Sequence, residues 1–293
     1  MLRRFSIVYC SLVIIQASAQ VELMKDVSYL KEEFNICSLW HEGMTWKEFL
    51  KIRNELSREG LIKYVDKIEQ QNLAKEAGLE VPKTYIASRE KVPVVGLLST
   101  LPSYVAKMTH LSLSKAIVIV KNGIDIINNR PMRPSSTQKH LFECFDESKP
   151  RPVESWALHH VKPGFMIQEY VANRNEANIQ TVWGKAIVGD WRGGEPNASL
   201  TPVFGQFDRA GTTIKGNVKA PQWWSKAIAA AEKMAKGTDA LRVDFLIKED
   251  GQLLLSELEI WPETDWSLMK TELETALNDG YRKLCKQNRF KGA

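Results

Sequence analysis

The chain has 293 residues, 44% of them apolar and 26% charged, a balance that excludes a disordered polypeptide and supplies a large core. Its formal charge of +5 is too small a surplus to argue for nucleic acid as a partner. Beyond the N terminus no segment is long and apolar enough to span a bilayer as a helix.

In chain order, residues 1–19 read as a secretory signal. Arg3 and Arg4 form a basic start, Phe5 to Ile15 an apolar stretch, and Ala17-Ser18-Ala19 a small-residue cleavage site. Cleavage before Gln20 leaves 38 basic against 35 acidic residues, a formal charge of +3. It also removes Cys10, leaving Cys37, Cys144 and Cys285, a count that permits one internal disulfide and one thiol. Thr45-Trp46-Lys47-Glu48 is a capping box that starts a helix running to about Gly60. A second helix fits Asp66 to Ala77, stopped by Gly78. Residues 79–87 and 101–107 read as strands, the second ending on Lys107, with a polar loop over 108–114. Residues 115–127 form a hairpin about Asn122-Gly123. A basic, proline-rich loop over 128–137 comes next, then a buried strand over 164–171 that ends Glu169-Tyr170-Val171. Residues 178–191 make a hairpin turning near Gly184, and the Gly/Pro-rich stretch 192–220, with a glycosylation sequon at Asn197, reads as an insert loop. A helix over 221–237 leads into a hairpin over 239–260, and a last helix runs from about Ser267 to Cys285. Helices and antiparallel hairpins in this order define an α+β fold.

The hairpin at 239–260 carries the densest chemistry. If Asp250 and Gly251 are the two central residues of its turn, Asp244 faces Glu257 and Arg242 faces Glu259, all on one side of the sheet. The other side then carries Val243, Phe245, Ile247, Leu254 and Leu258. Two opposed carboxylates repel one another, and a hard divalent cation relieves the repulsion. The plainer reading is a solvated strand end, and a three-residue turn would shift the register.

Other motifs are absent. The chain has neither a P-loop nor a Gly-x-Gly-x-x-Gly, so any grip on phosphate must come from side chains such as Lys107. It has no Gly-x-Ser-x-Gly, His-Glu-x-x-His or kinase Asp-Phe-Gly. His159 and His160 are neighbours on an extended segment and would point to opposite faces, which argues against a shared metal. The pair Trp223-Trp224 and the segment Trp261 to Trp266 read as packing, with sugar binding as the alternative.

Lys107 on a strand, then Gln168-Glu169-Tyr170-Val171, then "RVDF" and "LLSELEI" in that order, resemble the ATP-grasp superfamily, and most of all its TupA-like branch of teichuronopeptide synthesis. The likeness spans about residues 61 to 265 and includes Asp66-Lys67 at a helix start and "LPSYVAK" as the lysine strand. It implies two α+β lobes clasping a nucleotide between antiparallel sheets, behind an N-terminal helical extension. The expected divisions are an extension over 20–60, an α/β segment over 61–100, a small lobe over 101–171 and a large lobe with the metal site over 172–293. The resemblance implies ATP and Mg²⁺ as cofactors. Lys107 would contact the phosphates, Glu169, Tyr170 and Val171 would meet adenine, Asp244, Glu257 and Glu259 would hold magnesium, and Arg242 would sit beside the γ-phosphate. The implied reaction ligates a carboxylate, small or carried on a glycan or peptide, to an amine. The alternatives are a non-catalytic glycan-binding relative and a glycan phosphotransferase. The loop after Lys107 departs from the branch, with Ser112 and Ser114 where glycines are expected, and "LEIWPETDW" replaces a Gly-rich segment. With a signal peptide, the expected location is the secretory pathway, as the Golgi lumen or outside the cell, or another organelle lumen.

Overall fold

The computed structural model describes residues 36–55, 59–111, 117–146, 160–172, 175–193, 203–260 and 270–289. The proposed signal peptide, the sequon at Asn197, His159, Ser112, Ser114 and the Trp261 to Trp266 segment lie outside them. Among the described residues no helix is long and apolar enough to cross a membrane.

Two antiparallel six-stranded sheets organise the chain. The first is built from β1 (Thr84–Ser88), β2 (Tyr104–Met108), β3 (Ile117–Lys121), β4 (Ile124–Asp125), β5 (Arg130–Pro131) and β6 (Phe165–Glu169), in the order β1-β6-β2-β3-β4-β5. Strand β2 alternates: Tyr104, Ala106 and Met108 are buried, while Val105 and Lys107 are half-buried on the other face. The buried set packs against short helix Val95–Ser99 and helix Pro134–Phe145, meeting Leu98, Leu141 and Cys144.

The second sheet contains β7 (Asn175–Val182), β8 (Lys185–Gly193), β9 (Val203–Asp208), β10 (Thr213–Lys215), β11 (Ala240–Ile247) and β12 (Leu253–Glu259), in the order β10-β9-β8-β7-β11-β12. One face presents Ala177, Ile179, Leu241, Val243, Phe245, Ile247, Leu255 and Leu258 to helix Trp224–Met234 and to Leu61, Tyr64 and Ala74. The opposite face is divided. Val182, Val188 and Ala240 lie under Leu273, Leu277 and Tyr281 of the last helix, Lys270–Arg289, and under Trp46 and Phe49 of helix Trp46–Glu55. The rest of that face carries Arg242, Asp244, Glu257 and their polar neighbours, with Leu246 and Leu254 at its end.

Two features hold the helices there. Cys37 and Cys285 form a disulfide across 248 residues of sequence. Arg53 and Asp239, both fully buried, form an ion pair at 2.8 Å, and Tyr281 donates to the second Asp239 oxygen at 2.9 Å. Arg53 also donates to the carbonyls of Ala240, at 2.9 Å, and Ile260, so it grips the start of β11 and the residue after β12.

Two expected loops are ordered structure. Pro134 opens a helix inside the stretch read as a loop, because proline's fixed φ and missing N–H suit the first helical position. The stretch read as an insert loop adds β9 and β10 to the large sheet. Its glycines mark close packing: a Cβ on Gly205 would come within 2.7 Å of the Val218 side chain.

Candidate functional site

The polar half of the large sheet faces the half-buried side of the small one. The chain reaches it through helix Lys67–Glu76, capped by Asp66, whose carboxylate accepts from the Ile68 N–H at 3.0 Å. Gln70 of this helix ties it to β12, donating to the Leu258 carbonyl at 3.0 Å and accepting the Leu258 N–H at 3.2 Å. Gln71 reaches the other sheet, accepting the Thr84 hydroxyl at 3.0 Å. The helix is therefore a strut between the lobes.

Strands β11 and β12 pair Arg242 with Glu259 and Asp244 with Glu257, the expected partners. The route to that pairing differs from expectation. The turn holds three residues, Glu249, Asp250 and Gly251, between Lys248 and Gln252, which pair through a 3.0 Å bond. Gly251 alone of the three has positive φ, at +82°. This moves the ladder by one residue, so Leu246 faces Leu254 and Phe245 faces Leu255. A β-bulge at Ser256, which has no partner on β11, then restores the register before Glu257. Leu254, expected on the core face, consequently stands with Leu246 on the site face, and Leu255 takes its place in the core.

Leu246 and Leu254 pack with Val171, forming a small apolar floor just past the end of β6. Glu169 ends that strand and is tied to the preceding segment: its carboxylate accepts the Lys83 N–H at 3.0 Å and its own N–H donates to the Lys83 carbonyl at 2.8 Å. Tyr170 lies beneath the Lys121 ammonium, 5.9 Å from the ring centre. The three residues expected at the adenine hinge thus sit beside an apolar surface that suits a planar base.

Arg242 forks onto Asp244, with both bonds at 2.8 Å. Burial works against its charge, but Asp244, Glu259 and Glu257 outweigh it and hold the guanidinium well above its usual value. Burial pushes the Asp244 carboxyl up; Arg242 opposes this, while Glu257 and Asp190 add to it. Burial also works to raise Glu257, but Lys67, then Lys107 and Arg242, overcome it and hold that carboxyl below the usual range. Lys67, 5% exposed, bonds Glu257 at 3.1 Å and the Leu111 carbonyl at 3.0 Å. Lys107 of one sheet and Glu257 of the other therefore share one cleft with Arg242 and Asp244.

Among the described residues no three His, Cys, Asp or Glu side chains are grouped closely enough to hold a metal ion. Asp244 is turned to Arg242, Glu257 to Lys67, and Glu259 stands opposite Arg242. The donor set nevertheless fits magnesium. It is all oxygen, and two carboxylates face one another across the ladder, where a dication would offset their mutual repulsion.

Lys67 is the site residue that spacing alone did not single out. Its signal was a lysine directly after an N-cap aspartate, at the foot of a helix that bridges two sheets. Asn178, Gln180, Asp190 and Arg192 are further polar residues of this face that no sequence motif marks. They share a face with Arg242 and Asp244, because Asp244 pairs with Asn178, Asn178 with Asp190, and Arg242 with Gln180. Polar residues two apart in otherwise apolar strands were the available signal. Trp224 is 3% exposed and packs on Phe207, so it belongs to the core, while Trp223 is partly buried and packs edge-on against Trp191.

No protein-family model and no curated protein matches this sequence. Among solved structures the chain is similar to the D-alanine-D-alanine ligase from Coxiella burnetii, with 14% identity and a TM-score of 0.50 over 77% of this chain and 60% of that one. It is also similar to the N5-carboxyaminoimidazole synthetase from Staphylococcus aureus complexed with ADP, at 13% identity and TM-score 0.46, covering 80% of this chain and 58% of that one. A third likeness is the ATP-grasp ligase PsnB complexed with minimal precursor, Mg and ADP, at 12% identity and TM-score 0.43, over 76% and 61% of the two chains. The chain thus spans about three fifths of the length of these proteins. Its fold is the α+β ATP-grasp fold, two antiparallel sheets with flanking helices.

Proposed function

We propose that the protein is a magnesium- and ATP-dependent carboxylate–amine ligase. The observation that carries this reading is the convergence of Lys107, Arg242, Asp244 and Glu257 from two sheets, and of Lys67 from the helix between them, on one cleft beside the apolar floor of Val171, Leu246 and Leu254.

In this reading the adenine lies on that floor against Glu169, Tyr170 and Val171. Lys107 reaches the phosphates as a point charge. Arg242 faces the γ-phosphate, which carries the charge that develops during transfer. Asp244, Glu257 and Glu259 would hold magnesium, which neutralises phosphoryl charge when bound. A substrate carboxylate oxygen attacks the γ-phosphorus, the bond to the β-phosphate oxygen breaks, and an acyl phosphate and ADP result. An amine nitrogen then attacks the acyl carbon, phosphate leaves with the C–O electron pair, and the amine gives up a proton as the amide forms. No protein nucleophile takes part. The chain's own contribution is to orient both substrates and to offset charge in a closed cleft.

The TupA-like branch, a glycan- or peptide-linked carboxylate and a place in the secretory pathway complete the proposal. The Cys37–Cys285 disulfide supports that location, since such bonds persist in oxidising compartments.

Calorimetry of Mg–ATP binding, with Asp244→Asn and Glu257→Gln beside the parent, tests the reading. Magnesium-dependent binding that falls at least tenfold in both variants is expected. Binding unchanged in both refutes the metal-site assignment, and a folded parent that binds no nucleotide refutes the ligase.

A further inference from the structure

The polar face of the large sheet continues beyond the residues assigned to nucleotide and metal. Across five strands the register aligns Gln206, Asp190, Asn178, Asp244 and Glu257 in one row. The adjacent row places Gln180 beside Arg242. With strands about 4.8 Å apart, Asp190 stands about 10 Å from Asp244, on the side away from Glu257.

Two side chains here are built at a cost. Gln180 is fully buried, and neither its amide nitrogen nor its amide oxygen has a hydrogen-bond partner. Asp190 is 1% exposed. Its Oδ2 accepts from Arg192 at 2.9 and 2.7 Å, while its Oδ1 is buried without a partner. A buried polar atom without a partner forfeits its hydration and gains nothing in return, and three such atoms lie on one face within one diagonal of each other. On the opposite parity of the same sheet Ala177, Ile179, Val243 and Phe245 are buried in the core, so the orphans do not sit in a loosely packed lobe.

We infer that Asp190, Gln180 and Asn178 form the subsite that first holds the amine of the acceptor as its ammonium group, which passes one proton to Asp190 Oδ1 and so frees the nitrogen lone pair that attacks the acyl carbon. This rests on the ligase reading. An ammonium has three donors and no acceptor. These three side chains, from two adjacent rows, offer it one carboxylate oxygen and two amide oxygens. Arg192 occupies Oδ2 of Asp190 and leaves Oδ1 to the ammonium, while Arg242 is turned onto Asp244. The subsite lies along the sheet from the phosphate-facing Arg242, where an acceptor must approach an acyl phosphate.

Saturation-transfer NMR on the full chain loaded with Mg–AMPPNP tests this. The probes are glycine, L- and D-alanine, L-glutamate, L-lysine and glucosamine, each beside its N-acetyl form, which lacks the ammonium. At least one free amine should give a signal that its acetylated form does not. That signal should weaken at least tenfold in Asp190→Asn and in Gln180→Met, with the Mg–AMPPNP titration of the same samples reporting that the lobe is folded. Gln180→Met should also leave Tm unchanged or raise it, since it removes an unsatisfied amide. A fall in Tm would mean that the amide serves a structural water, and would overturn the subsite. No amine signal, or one that persists in both variants, overturns it while the nucleotide site stands. A parent that does not bind Mg–AMPPNP overturns the ligase reading and the subsite together.

Discussion

Replacing Arg53 with methionine should cost the fold about 3–5 kcal/mol, the usual penalty for stranding one member of a buried ion pair. Arg53 and Asp239 are both fully buried and 2.8 Å apart. Methionine keeps much of the aliphatic stem but removes the donors to Asp239, Ala240 and Ile260. Asp239 keeps the Tyr281 hydroxyl and the Ala240 N–H, at 2.9 Å each, and these limit the damage. Against a typical total of about 5–15 kcal/mol, the variant should be near its limit of stability. Urea unfolding of the disulfide-intact chain measures the loss as a shift in midpoint at constant slope. Adding Asp239→Asn removes the stranded charge, so the double variant should recover part of the loss, with a coupling of about 0.5–3 kcal/mol. Because Arg53 holds the carbonyl next to Glu259, Mg–ATP affinity should fall in parallel. A loss under about 1 kcal/mol, or strictly additive single effects, would refute the claim that this pair anchors the two site strands.

Three further outcomes follow from the same packing. Gly280→Ala should destabilise by about 1–3 kcal/mol, although alanine gains about 1 kcal/mol in helix propensity. The new Cβ would overlap the Trp183 indole, and a rise in Tm would refute the contact. Cys285→Ser should lose about 2–5 kcal/mol, since the disulfide closes a loop of 248 residues; unchanged urea unfolding would show that the helices dock without it. Lys67→Met should cost about 2 kcal/mol at pH 7, mostly from the bond to the Leu111 carbonyl, since Glu257 is 37% exposed and its pair adds less than about 1 kcal/mol. Lys67 helps hold the Glu257 carboxyl low. A carboxylate with a depressed folded value stabilises above its unfolded value and loses that contribution as pH falls through the folded one. The gap between parent and variant should therefore narrow below about pH 4.3. A gap that widens in acid would refute the pairing.

Local signals in this chain were legible where a side chain answers to its own neighbours in sequence. The capping box forms both of its bonds, Thr45 N–H to Glu48 at 2.8 Å and Glu48 N–H to Thr45 at 3.3 Å. The Asn122-Gly123 turn has the two positive φ values, +50° and +79°, that its dipeptide predicts. Strands β9 and β10 were not legible, because their glycines, read as loop, answer to packing against residues such as Val218. Gln180 and Asp190 were not singled out, because their burial depends on strands brought together by the sheet. The acid pairing is the instructive case. It was reached through a two-residue turn, and the chain reaches it through a three-residue turn and a bulge that cancel. The cancellation has a physical basis. The apolar face of β12 must meet the core on both sides of the bulge, Leu255 before it and Leu258 after it. With the longer turn alone, the residue opposite Asp244 would be Ser256, and Leu258 would leave the core. The extra residue at Ser256 keeps Leu258 inside and thereby keeps Glu257 opposite Asp244. Burial of one leucine thus sets the position of a carboxylate on the other face, so a filled core and an opposed acid pair are one constraint on this strand.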